Sequence, residues 1–429
     1  VRVVTERMPS VRSAALGFWI GAGSAAEHDG EAGISHLLEH MLFRGTASFG
    51  SEEIDQIFDA MGAEVNAGTD KEATSVYTRV LDRHLERAFE VMGEMVFQPR
   101  FGELETEREV VLEEIAMYED DPQEKVFDVL GEAVFGAHPL GRAVIGTAQV
   151  VGAVTREQLS AFHDSRYRPH DIVIAAAGSV DHEELVAMAR ALEIAPGDAA
   201  APGNGQSQLA VPSFERRVRF SEKDTEQYHV CLGGGGLARD DERRFALRVL
   251  EGVLGATSSS RLFQEVRERR GLAYSVFSFS NMYTTTGEVG LYVGTRPDNL
   301  VQALAVIAEQ LERCVAHPAN EEELTRSREN LKGRVVLSME STSARMSHLG
   351  GSLLHEMPIL SIDDVIERID AVALEHVEEL AATLFAPARL SVACVGPDER
   401  AFDAAIAPLG AGAGSLASED PQLASEAAR

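Results

Sequence analysis

His36-Leu37-Leu38-Glu39-His40 puts two imidazoles and a carboxylate within five residues. On a helix at about 100° per residue, His36, Glu39 and His40 share an arc roughly 100° wide. Ile34, Leu37, Leu38, Met41 and Leu42 take the opposite side, so one face can pack while the imidazoles open onto a shared cavity. Histidines at i and i+4 can reach one transition metal, zinc first among them. Glu39 stands where it can take a proton from water. Taken alone, the five residues also suit an ordinary helix surface.

A third donor must come from another element, and ETEREVVLEEIAMYE is the best source. Glu107 and Glu114 are seven apart and nearly aligned on one helical face, whereas Glu113 turns away by about 100°. Glu114 is the expected third ligand and Glu107 the supporting acid, behind the ligands or on the water side of the cavity. A solvent-facing acidic stripe is the alternative reading. Zinc held by His36, His40 and Glu114 would acidify water and polarise a carbonyl, with Glu39 as base.

The elements that must position these groups follow from period and punctuation. VRSAALGFWI (11–20) reads as a strand, and helices are expected at about 32–43, 51–61, 82–95, 103–119 and 123–135. Gly62 to Val80 reads as two strands around a polar turn. The Ala/Gly/Pro-rich break over 195–213 marks a domain boundary. The chain accordingly divides into 1–200, a linker at 201–213, a second domain at 214–410 and a flexible tail at 411–429. Both halves end alike, YRPHDIVIAAAGSVDHEEL from Tyr167 and FAPARLSVACVGPDERAF from Phe385. Each has aromatic-x-Pro, a hydrophobic strand, glycine and a polar helix start, which suggests a duplicated unit. The expected fold is α+β: two related domains, each with a mainly antiparallel sheet packed against helices.

At 429 residues the chain exceeds what one core usually supports. Its 69 acidic against 39 basic residues give a net charge of -30, with no basic run to track a phosphate backbone, so no nucleic-acid partner is expected. No apolar run is long enough to span a membrane. The first residues alternate like a strand rather than a signal peptide, and cytoplasmic placement is expected. The chain starts at Val1 without an initiator methionine, which leaves room for an upstream segment. Cys231, Cys314 and Cys394 form no CxxC pair and read as buried and inert. Gly233–Gly236 lack the lysine and Ser/Thr of a phosphate loop and read as a strand-to-helix transition.

The HxxEH order is that of the inverted zinc peptidases. HLLEHMLFRGT (36–46), NAGTDKEATSVY (66–77), ETEREVVLEEI (105–115) and PLGRAVIGT (139–147) together resemble the pitrilysin family, in its short, processing-peptidase-like branch, over nearly the whole chain. The resemblance implies one Zn2+ per chain on His36, His40 and Glu114, with Glu39 as base and Glu107 as supporting acid. It implies a zinc endopeptidase acting on flexible peptides or extended segments. The segment Asn66-Ala67-Gly68-Thr69 would border the cleft on an edge strand, Asn66 holding the peptide backbone and Ala67 leaving room for it. Arg267 and Tyr274 match the family's substrate-binding pair across the cleft from zinc. A glycine-rich segment aids substrate handling in the family's noncatalytic subunits, the minor reading for Gly233–Gly236. Four-domain members close like a clamshell, so a homodimer or a heterodimer with a related chain is implied. The competing expectations are a catalytically silent or structural subunit of a processing-peptidase-like assembly, and a peptide-binding module with a structural metal.

Overall fold

Short apolar runs carry the chain into two five-stranded sheets in a computed structural model that describes residues 1–192 and 209–410. The first sheet is built from β1 (Arg2–Arg7), β2 (Ser13–Ile20), β3 (Val65–Thr69), β4 (Thr74–Leu81) and β5 (Ile172–Gly178), in the order β1-β5-β2-β4-β3. The second contains β6 (Val218–Glu222), β7 (Tyr228–Gly236), β8 (Ala273–Met282), β9 (Gly287–Thr295) and β10 (Ser391–Gly396), in the order β6-β10-β7-β9-β8. The orders correspond strand for strand. In each, one pairing is parallel (β1 with β5, β6 with β10) and the others antiparallel. The expected pair of related α+β domains is therefore what forms, and the two similar chain endings supply the matching strands β5 and β10. Both are followed by a helix whose N-cap aspartate, Asp181 or Asp398, accepts hydrogen bonds from backbone N–H groups of the first turn.

Helices α1 (Ile34–Met41), α2 (Ser51–Met61), α3 (Leu85–Phe97), α4 (Leu104–Asp120) and α5 (Pro122–Phe135) follow the amphipathic segments closely. Ile34, Leu37, Leu38, Met41 and Leu42 are fully buried against Leu16, Phe18 and Ile20 of β2 and against α3. Burying each such side chain stabilises the fold by roughly 1.5–3 kcal/mol, so α1 cannot rotate and its polar arc is fixed towards the cleft.

The domains exchange helices. The other face of the first sheet, with Ala15, Trp19 and Ala175, is covered by helix Thr342–Leu354 through Met346 and Leu349. Helix α5 reciprocates, packing Val126, Val129, Leu130 and Val134 on Cys231, Tyr292, Ala393 and Val395 of the second sheet. This explains the Gly233–Gly236 run, which is not a strand-to-helix transition but the end of β7. A Cβ on Gly233 would stand 3.1 Å from the Leu130 side chain, and one on Gly235 only 2.6 Å from the Phe214 ring. The glycines let a helix and an aromatic ring approach the strand closely.

Cys231, Cys314 and Cys394 are free and buried, and burial pushes the Cys314 thiol up to about 12. Residues 209–213 run as irregular chain against the first half, with His138 Nε2 and the Ala210 carbonyl 2.9 Å apart. The rest of the expected linker and the 411–429 tail lie outside the described residues. Among the described residues no helix is long and apolar enough to cross a membrane.

Candidate metal centre

Helix α1 starts where a buried carboxylate meets its unsatisfied amides. Glu27 accepts from the backbone N–H of Gly33 at 3.0 Å and of Ser35 at 2.8 Å. Burial, opposed by these bonds, pushes the Glu27 carboxyl up to about 7. One turn further, His36 and His40 lie edge to face with ring centroids 4.7 Å apart.

Helix α4 brings the third group. Glu114 Oε2 lies 3.3 Å from His40 Nε2 and 3.7 Å from His36 Nε2. One ligand atom from each of His36, His40 and Glu114 lies within 4.8 Å of the others. Zinc with bonds of about 2.0–2.1 Å sets tetrahedral ligands roughly 3.3 Å apart, so the donor set fits. Among the described residues this is the one cluster of at least three His, Cys, Asp or Glu able to hold a metal ion.

The two imidazoles differ in their affinity for a proton. Burial, aided by the charge on His40, lowers His36 to about 4, so its imidazole is neutral at pH 7. Burial would lower His40 too, but the bond to Glu107 and the surrounding carboxylates outweigh it and raise its pKa. His40 Nδ1–H donates to Glu107 Oε1 at 2.8 Å, so Nε2, which faces Glu114 at 3.3 Å, is the atom that would bind a metal once it gives up its proton. Glu107 is only 3% exposed and also ion-pairs with Arg44. These two cationic partners overcome its burial and hold its carboxyl below the ordinary value.

Glu39 accepts a 2.6 Å hydrogen bond from Thr69 Oγ1, the last residue of β3. Burial outweighs this bond and raises the carboxyl's affinity for a proton. A cavity of about 410 Å³ runs past His36, Glu39, Thr69 and Glu114 to Asn281, Tyr283 and Glu288 of the second domain. Across its rim Glu72 of the β3–β4 turn binds Arg239 Nη2 at 2.8 Å and the Thr284 amide at 2.8 Å, tying the domains together.

The remaining sequence-derived residues divide. β3 is an edge strand with Asn66 exposed along it, while Ala67 is partly buried against the core. Arg267 lies over the rings of Phe263 and Tyr274, with Tyr274 77% exposed on the edge strand β8. Neither lines the metal-site cavity of its own chain. The sequence places Thr69 in the cleft-bordering segment but not on Glu39, and it does not mark Arg44 or Glu27 as partners of the site. Arg44 could have been found, since it follows His40 by one helical turn; the other two depend on tertiary approach.

Glu288 gives a pH test. It sits buried in β9, accepts from Asn281 Nδ2 at 3.1 Å, and is pushed by burial up from 4.5 to about 7. Between those values the folded chain holds a proton that the unfolded chain releases, so stability falls as pH rises through that window. Glu288→Gln should therefore melt above the parent protein at pH 8, with the difference shrinking towards zero at pH 5. Melting curves across that range check this, and a pH-independent difference would refute it.

An inverted HxxEH centre on a two-domain α+β frame defines a zinc peptidase. Residues 2–148 match insulinase (peptidase family M16), and residues 153–331 match the peptidase M16 inactive domain. An uncharacterized zinc protease of Mycobacterium leprae is 40% identical over 92% of this chain and 90% of its own. The uncharacterized zinc protease YmxG of Bacillus subtilis is 40% identical over 90% of this chain and 93% of its own. In fold, a protease from Helicobacter pylori superposes with a TM-score of 0.84 at 20% identity, covering 92% of this chain and 96% of that one. The chain belongs to peptidase family M16, the insulinase or pitrilysin family, and carries that family's zinc centre intact.

Proposed function

We propose that His36, His40 and Glu114 hold the catalytic zinc and that Glu39 is the general base of an endopeptidase. The observation that carries this is the meeting of the three donors with Glu39 at one end of an interdomain cleft. Zinc bound there supplies a positive charge that polarises the scissile carbonyl and makes water acidic. Glu39 takes a proton from the attacking water and passes it to the departing amine. Glu107 fixes the tautomer and direction of His40. The exposed edge of β3 pairs with an extended peptide, and Asn66 holds the peptide backbone beside it. Flexible peptides and unfolded segments meet this requirement, because their backbone groups are free to extend along the β3 edge inside the cleft. No observation favours the silent-subunit alternative.

The division of labour follows: 1–200 catalytic, 214–410 enclosing the substrate, 201–213 joining them and 411–429 a tail. Buried free cysteines suit a reducing cytoplasm. The active unit is a dimer, of this chain or with a related one, in which Arg267 and Tyr274 serve the partner's zinc site. Strand geometry supports this reading. Asn281 lines the chain's own zinc-site cavity, and Tyr274 lies seven residues back along β8, about 23 Å at the usual rise. Tyr274 can donate to a developing oxyanion and Arg267 can bind a peptide carbonyl or carboxylate. Mixing Glu39→Gln chains with Tyr274→Phe chains, each poorly active alone, should restore up to one competent site per mixed dimer. If subunits demonstrably exchange and no activity returns, the trans assignment falls.

A further inference from the structure

The zinc-site cavity continues into a second, larger one of about 700 Å³, and Thr69, Lys71, Val144, Asn281 and Tyr283 line both. The two ends have opposite charge. Glu39, Glu114, Asp128 and Glu288 line the zinc end. Lys71 is shared by both ends; beyond Thr69 the walls add Arg239, Arg244, Arg248 and His348, and among the described lining residues of that cavity only Asp70 is acidic. In a chain with a net charge of -30, such a cluster of cations runs against the average.

These groups differ in how far they are already used. Asp70 spends Oδ1 on the amides of Glu72 and Ala73, each at 2.7 Å, and Arg239 is held by Glu72. Lys71 donates to the Arg142 carbonyl. Arg244 donates to the Asp241 carbonyl at 3.1 Å and to Glu242 at 3.2 Å. Arg248, one turn after Arg244 on helix Arg244–Leu254, has a single ion contact among the described residues, Glu251 at 3.8 Å. Its side chain is 52% exposed, and Phe245, Met282 and Val365 line the same cavity. A half-exposed guanidinium has a fork that can grip a carboxylate in bidentate fashion, and several cations in one cleft raise the local concentration of anions.

We infer that this cavity is a carboxylate subsite of the cleft, in which Arg248 binds an acidic side chain or the C-terminal carboxylate of the peptide a few residues from the scissile bond. The inference rests on the hydrolytic reading of the zinc site. It makes Arg248 a specificity residue, selecting which peptides and which register are cut.

Two probe sets separate the carboxylate sources: fluorogenic peptides with Glu or Gln walked through successive positions on each side of the cleaved bond, and one peptide ending in carboxylate or amide. The native enzyme should prefer the charged member at one register by about tenfold in kcat/KM, the scale of one hydrogen bond between charged groups, and the preference should weaken with added salt. Arg248→Glu should abolish or invert the ratio, and Arg248→Lys should keep part of it. Fluorescence anisotropy of the same peptides on Glu39→Gln protein reads the charged-over-neutral preference in binding without turnover, so failure of hydrolysis and failure of the subsite are distinguishable. Equal handling of charged and neutral members at every register, or a preference that survives Arg248→Glu, overturns the proposal.

Discussion

Glu39→Gln protein is expected to retain its zinc and lose at least about 100-fold in kcat, the scale of a lost general base. Glutamine has nearly the same volume, and its carbonyl oxygen can still accept the Thr69 hydroxyl that Glu39 accepts at 2.6 Å. None of the three expected ligand atoms is touched, so the metal should remain. What disappears is the buried carboxylate whose surroundings raise its hunger for a proton. Metal analysis beside steady-state kinetics makes the comparison, and unchanged turnover would remove Glu39 from its assigned role.

The second large effect has the opposite signature. His36→Ala or His40→Ala should lose zinc and activity together, because each removes one of three protein donors. His40→Ala should be the more disruptive to its surroundings. It strips Glu107, which is almost wholly buried, of one of its two side-chain partners and leaves only Arg44. Titration with added zinc, followed by metal content and peptide hydrolysis, should show weakened occupancy with activity tracking it. A histidine variant that keeps stoichiometric zinc and loses only turnover would contradict its assignment as a ligand.

Much of this centre is legible in the sequence because it is built on local periodicity. Within His36–His40 three residues form the polar arc of α1 and the two leucines between them belong to its buried face, and the seven-residue spacing of Glu107 and Glu114 places both towards α1. The similar endings at Tyr167 and Phe385 likewise announce the strands that occupy equivalent places in the two sheets. What the sequence does not display is set by approach of distant segments. Glycines in β7 read as a strand-to-helix transition until α5 of the other domain and the Phe214 ring are laid against them. Thr69, Lys71 and Asn281 acquire meaning only when the β3–β4 turn meets β8 across the cleft. Glu27 reaches the start of α1 from an irregular loop, where no repeat pattern exists to signal it.

The central claim, that one zinc ion per chain drives peptide hydrolysis, is tested most directly with a mixed fluorogenic peptide library. The purified protein is assayed before chelation, after exhaustive chelation and after zinc is returned, with metal content measured at each stage. Hydrolysis should vanish with the metal and return as occupancy approaches about one zinc per chain. Full hydrolysis by protein shown to contain no zinc would contradict it.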